Sequence, residues 1–275
     1  MWYCDVLKWI FVIFFVSLPI VWVFSKTIRF YVRATLYYSC VFATGQLLVF
    51  FIWRNFGDPL NYKYVKWIFL SLTRWTNVKY IIRGEKHLKS GESFVAVCNH
   101  QSSLDLMSMM QCWPERCVAM MKSSMQYLGL MGVTAKGAGS VFIERYNKES
   151  AIATVNKAVE QIKAKRAKIW VFPEGTRNQD GGMLPFKKGP FHLAIQAKIP
   201  IVPVVFSSYK CFYDKSEHKF LDEGLVIIEA LPPIETSDFT VDGIQKLSAD
   251  TREKMLAVFE RNSREAAALF ARHEF

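Results

Sequence analysis

The chain has 275 residues, 51% of them hydrophobic, and a formal net charge of +11. That is too apolar for a disordered polymer and long enough to bury one substantial core. The basic excess, concentrated between residues 63 and 235, asks for an anionic partner. With no zinc-finger spacing, no RNP-like aromatic motif and no dense Lys/Arg stripe, nucleic acid is a poor match and lipid phosphate a better one.

Two uncharged apolar stretches come first, residues 9–25 between Lys8 and Lys26, and residues 34–53 between Arg33 and Arg54. At ~1.5 Å per residue each approaches the ~20 residues that a bilayer core demands, so residues 1–60 read as a membrane-embedded two-helix hairpin joined by residues 26–33. No small-x-small site follows the first stretch and a second one comes at once, which argues against a cleaved signal peptide. Basic residues on both flanks leave the orientation open.

Residues 61–275 alternate like an α/β domain. Runs at 78–83, 94–99, 117–121, 141–143, 168–172, 201–206 and 225–230 have strand character. Between them, residues 149–165 repeat Ile152, Val155, Val159 and Ile162 at helical steps, and 245–272 form a long charged amphipathic helix. The expected fold is a mixed, partly parallel sheet flanked by helices, behind the hydrophobic hairpin.

The strand at 94–99 runs into His100, with Asp105 five positions on. Alone, Ser102-Ser103-Leu104-Asp105 fits a capping box, Ser102 as N-cap and Asp105 at N3. The same placement puts His100 in a strand-to-helix turn at the carboxyl edge of the sheet, where α/β ligand sites gather, with Asp105 able to reach back to the imidazole. A carboxylate on one ring nitrogen fixes the tautomer and leaves the other as a base. No G-x-S-x-G elbow is present, so the nucleophile is expected to arrive with the substrate.

Two later blocks add charge. Residues 139–145, G-S-V-F-I-E-R, place a strand between Gly139 and Arg145; residues 172–177, F-P-E-G-T-R, end another strand in Glu174, Gly175, Thr176 and Arg177. Singly, each arginine reads as an exposed loop charge. With His100 they form three strand ends bearing a base and two guanidinium groups, which bind phosphate oxygens bidentately, while Gly175 admits backbone N–H groups to the same anion. Lys187 and Lys188 either add charge at the rim or solvate a loop, the second reading standing ahead. The six cysteines contain no CxxC pair and no acidic cluster has Mg²⁺-site character, so no disulfide framework and no metal are expected.

Together N-H-Q-S-S-L-D (99–105), G-S-V-F-I-E-R (139–145), F-P-E-G-T-R (172–177) and I-P-I-V-P-V (199–204), in this order behind a hydrophobic N-terminus, resemble the glycerolipid acyltransferase family, specifically its eukaryotic lysophosphatidic acid acyltransferases. The resemblance implies that His100 is the catalytic base and Asp105 its partner. It implies that Arg145, Glu174, Gly175, Thr176 and Arg177 hold the acceptor's phosphate, with Asn99 and Gly139 in support. The donor it implies is acyl-CoA, a co-substrate rather than a resident cofactor, and the setting is the endoplasmic reticulum membrane. The C-terminal helix matches no family motif.

The expected reaction is direct attack of the sn-2 hydroxyl of lysophosphatidic acid on the thioester, giving phosphatidic acid and CoA. Backbone N–H groups near the motif-bearing turns would stabilise the oxyanion. Glycerol-3-phosphate or another lysophospholipid as acceptor, and hydrolysis by water, keep the same base. A non-catalytic membrane lipid-binding protein is the reading from another class, and it has no use for a base with an orienting carboxylate.

Overall fold

The protein is represented by a computed structural model that describes residues 5–9, 11–12, 25–143, 155–156, 158–160, 162 and 164–275. The expected strands form as β1 (Val78–Arg83), β2 (Val95–Cys98), β3 (Cys117–Lys122), β4 (Val141–Ile143), β5 (Lys168–Val171), β6 (Ile201–Phe206) and, after the short pair β7 (Tyr213–Asp214) and β8 (Lys219–Phe220), β9 (Gly224–Ala230). Seven of them make one sheet in the order β1-β9-β6-β2-β5-β3-β4. Neighbours are parallel except β6 and β9, which makes the sheet mixed, as expected. The central strands β2, β5 and β6 are buried throughout, because helices cover both faces and every side chain must be accommodated in the core. Pro203 sits inside β6 without an N–H to give, and the pairing of β6 with β9 accordingly begins one residue later, at Val204.

The helices are α1 (Lys26–Ile52), α2 (Tyr62–Leu72), α3 (Asp105–Gln111), α4 (Gly129–Gly137), α5 (Gly189–Ala197) and α6 (Ile244–Arg272). The described residues between 155 and 165 are helical too, and Val155, Val159 and Ile162 are buried as their spacing predicts. Helix α6, which carries no motif, lies on β6 and β9 and buries Leu247, Met255 and Phe259. Its role is to close the core over one face of the sheet.

The N-terminal expectation needs correction. Residues 26–33 are not a loop between two membrane segments; they are the first turns of α1, capped by Ser25, whose Oγ accepts the N–H of Ile28. Arg33, expected to flank a membrane segment, is buried: Nη1 lies 2.5 Å from Asp222 and the guanidinium stands 4.9 Å over both Trp75 and Phe220. Helix α1 is long and apolar enough to cross a membrane, yet one stripe of it, including Phe30, Tyr37, Cys40, Leu48 and Ile52, packs on the domain. The opposite stripe leaves Leu36, Phe42, Leu47 and Phe50 exposed. Most of the first apolar stretch, residues 13–24, lies outside the described residues.

Candidate active site

The parallel strands β2, β5, β3 and β4 share one carboxyl edge, and the chain leaves β2 there through Asn99. The Asn99 side chain clamps this turn to the end of β6: Oδ1 accepts the N–H of Phe206 (2.8 Å) and Nδ2 donates to its carbonyl (3.0 Å). His100 follows, its ring stacked on Phe172 at 4.1 Å between centroids.

Both readings of the histidine block are realised by one oxygen. Asp105 Oδ2 lies 2.6 Å from His100 Nδ1, and it also accepts the N–H groups of Gln101 (2.8 Å) and Ser102 (3.1 Å). Half of the capping box is therefore present; Ser102 Oγ accepts from Leu104 instead, and α3 begins at Asp105 itself. Asp105 is 2% exposed, while the imidazole keeps 19% of its surface open. With Nδ1–H given to the carboxylate, the lone pair sits on Nε2, which has no hydrogen-bond partner among the described residues.

The block at 172–177 is laced to this turn. Glu174 Oε1 accepts the His100 N–H (2.7 Å), Oε2 accepts that of Leu184 (2.8 Å), and the carbonyl of His100 accepts from Asn178 (2.8 Å). Burial pushes the Glu174 carboxyl up, against the pull of the two amides. Glu174, expected to hold phosphate, thus braces the histidine turn: both oxygens are committed to N–H donors, and a carboxylate has none to offer an anion.

Gly175 also departs from expectation. Its N–H donates to the Phe172 carbonyl (3.1 Å). Its backbone is left-handed (φ 73°), and an added Cβ would lie 2.8 Å from Cε and 3.0 Å from Nζ of Lys187. The missing side chain therefore makes room for the end of Lys187, which is exposed but lies over the 172–177 block. Thr176 and Arg177 are exposed. Arg177 lies near Tyr213, whose phenol burial pushes up to about 12 while the guanidinium pulls the other way. Arg145 lies outside the described residues. Gly139 precedes β4 and so stands at the opposite edge of the sheet, where its Cβ would meet Gly57 O at 3.1 Å; it shapes a turn and is not part of the site.

Three contributions were not foreseen. Lys122 ends β3 on the His100 edge, a cation that the M-M-K close of the strand could have signalled. Tyr209 lies beside the dyad: its hydroxyl is 3.0 Å from Ser108 Oγ, and burial, then the charge of Asp105, push its phenol well above the ordinary value. Helix α1 grips the His100–Asp105 turn directly, Tyr37 donating to the Ser103 carbonyl (2.7 Å) and Tyr38 meeting Ser103 Oγ (2.9 Å). Among the described residues no three His, Cys, Asp or Glu side chains are grouped to hold a metal.

A family model described as Acyltransferase matches residues 79–207. The acl-2 protein of Caenorhabditis elegans is 38% identical over 94% of this chain and 92% of its own length. Human 1-acyl-sn-glycerol-3-phosphate acyltransferase alpha is 35% identical, covering 90% of this chain and 87% of that one. The crystal structure of the 1-acyl-sn-glycerophosphate (LPA) acyltransferase PlsC from Thermotoga maritima superposes with a TM-score of 0.61 over 86% of this chain and 94% of that chain; at 21% identity this is a likeness of fold.

Proposed function

Because the chain belongs to the 1-acyl-sn-glycerol-3-phosphate acyltransferase family, we propose that it moves a fatty acyl group from acyl-CoA to the sn-2 hydroxyl of lysophosphatidic acid. The observation that carries the mechanism is the His100–Asp105 pair with Nε2 unengaged. In this mechanism Nε2 takes the hydroxyl proton as the acceptor oxygen attacks the thioester carbonyl. The tetrahedral intermediate then collapses with cleavage of the C–S bond, and the departing thiolate recovers the proton from the imidazolium as free CoA. Asp105 stabilises that imidazolium without itself being protonated.

Lys187 and Arg177 are the described cations best placed for the acceptor's phosphate, with Lys122 on the same edge and Arg145 expected to join them. The oxyanion donors are other than the N–H groups of His100, Gln101, Ser102 and Gly175, since all four already have acceptors. The exposed stripe of α1 supports docking on a bilayer, with the endoplasmic reticulum membrane as the setting, so that a lipid acceptor reaches the turn that Tyr37 and Tyr38 hold.

Release of CoA thiol by detergent-purified protein, with and without lysophosphatidate, tests the reading. Release dependent on lysophosphatidate and abolished by His100→Ala is expected. Equal release without acceptor would mean hydrolysis, equal or faster release with glycerol-3-phosphate would reassign the acceptor, and an active His100→Ala would refute the base.

A further inference from the structure

A cavity of about 540 Å³ opens at the edge of the sheet opposite His100. Its position follows from the topology. Ser90 and Gly91 precede β2, Glu115 and Arg116 precede β3, and Lys168 begins β5, whereas the catalytic turn and Glu174 follow β2 and β5. The cavity is within the ~300–1,000 Å³ range of small-molecule sites. Its cations are Lys66, Lys89, Arg116, Arg166 and Lys168.

Two of these are occupied: Lys89 pairs with Glu85 at 2.8 Å, and Lys66 donates to the Gln111 carbonyl at 3.2 Å. Lys168 is different. The residue is 5% exposed, its backbone N–H donates to the Arg116 carbonyl (3.0 Å), its Nζ stands 5.4 Å from the Phe94 ring, and its side chain has no hydrogen bond or ion pair with another described residue. Burial lowers its pKa, with Cys117 and Glu115 opposing that shift. The ammonium group itself still touches the cavity's solvent, so it is a partly desolvated charge with no protein acceptor, open to an anion there. Arg116 and Arg166 likewise make no ion pair with a described residue, and both hold left-handed backbones (φ 54° and 47°) that strain a residue with a Cβ. Glu115 is the carboxylate that opposes this field at the rim.

We propose that this cavity is a second anion site, separate from the acyl-transfer site, which takes a phosphorylated ligand with Lys168 at the floor and the Arg116 and Arg166 guanidinium groups on its phosphate oxygens. The volume exceeds a single phosphate, which favours a pyrophosphate or a phosphate ester carried by a larger body, either a soluble molecule or a lipid headgroup. The site does not depend on the acyl-transfer reading, and its test uses no turnover.

Thermal unfolding of the full detergent-purified protein is followed with sodium pyrophosphate and with sodium chloride at equal ionic strength. Pyrophosphate is expected to raise Tm by several degrees in the parent and in Lys187→Met, and to lose this effect in Lys168→Met and in Arg166→Gly. Lys168→Met exchanges the charge for an apolar chain of similar length. Should it fail to fold, Arg166→Gly, which relieves the left-handed strain, carries the comparison. A rise that chloride reproduces, one equal in the parent and both cavity variants, one lost only in Lys187→Met, or no rise at all overturns the site. Flotation with phosphatidylcholine vesicles, with and without phosphatidate, then identifies the source. Phosphatidate-dependent binding that Lys168→Met loses assigns a lipid headgroup; unchanged flotation beside a lost pyrophosphate shift assigns a soluble ligand.

Discussion

Oδ2 of Asp105 stands 2.6 Å from Nδ1 of His100 while it also caps the Gln101 and Ser102 amides. Local backbone bonding therefore fixes the carboxylate that meets the imidazole, and the imidazole inherits that rigidity. Asp105→Asn keeps the shape and removes the charge that favours the imidazolium. A fall in kcat of about 10²- to 10⁴-fold with little change in the KM for lysophosphatidate is expected. Initial rates of thiol release measure it, and a variant within about tenfold of the parent would show that the pair is not the base and its orienter.

Glu174 holds the same turn from the other side, since its two oxygens accept the His100 and Leu184 amides. Glu174→Gln turns one oxygen into an NH₂ that faces an amide donor, leaving a buried N–H unpaired at about 1–3 kcal/mol. Lower Tm together with a lower kcat, at nearly constant KM for the acceptor, is the expected result. A raised KM with kcat intact would return Glu174 to the substrate.

Gly175→Ala places a methyl 2.8 Å from Lys187 Cε on a backbone of φ 73°. The left-handed residue costs about 1–2 kcal/mol and the ammonium group is displaced. Urea unfolding should register the former, and a several-fold rise in the KM for lysophosphatidate the latter. Lys187→Met should raise KM without the loss of stability; if it leaves KM unchanged, Lys187 does not meet the phosphate.

On α1, Phe42 and Phe50 are 59% and 74% exposed on the stripe that faces away from the domain. Burying either ring in lipid is worth about 1.5–3 kcal/mol, so Phe42→Asp with Phe50→Asp should weaken vesicle association by about tenfold or more. Flotation measures this, with Tm as the control for folding. Undiminished flotation would remove α1 as the docking surface.

Arg83 binds Glu265 of α6 through two bonds, 2.8 and 2.5 Å. Those bonds, ahead of the other influences, hold the Glu265 carboxyl below its ordinary 4.5. The pair therefore contributes stability that is fully present above that value and is lost as pH falls through the depressed one. Because both side chains are partly exposed, the contribution is about 0.5–1 kcal/mol. Arg83→Met should be less stable than the parent at neutral pH, and the two Tm curves should converge in acid. A constant gap down to the acid limit would show that Arg83 acts through packing alone.

The strands and the long C-terminal helix were legible because period-two and helical spacing are local, and the His100–Asp105 contact because five residues across a strand-to-helix turn leave few alternatives. Four motif blocks in order were enough to indicate the family. Local pattern misled at residues 26–33, where polar residues that suggested a loop begin a helix in which Arg33 finds Asp222 and two aromatic rings. It misled again at Gly139, which belongs to the edge away from the site.

What the sequence determined was the chemistry of each strand end; what the tertiary structure decided was which ends meet. His100 and Glu174 are 74 positions apart, and Tyr37 and Ser103 are 66 apart. Such contacts depend on strand order and on the helix that covers the turn. The same is true of the cavity around Lys168, which gathers residues from the starts of several strands. Strand order is set by the burial of whole faces against one another, a collective energy that no single stretch of chain encodes.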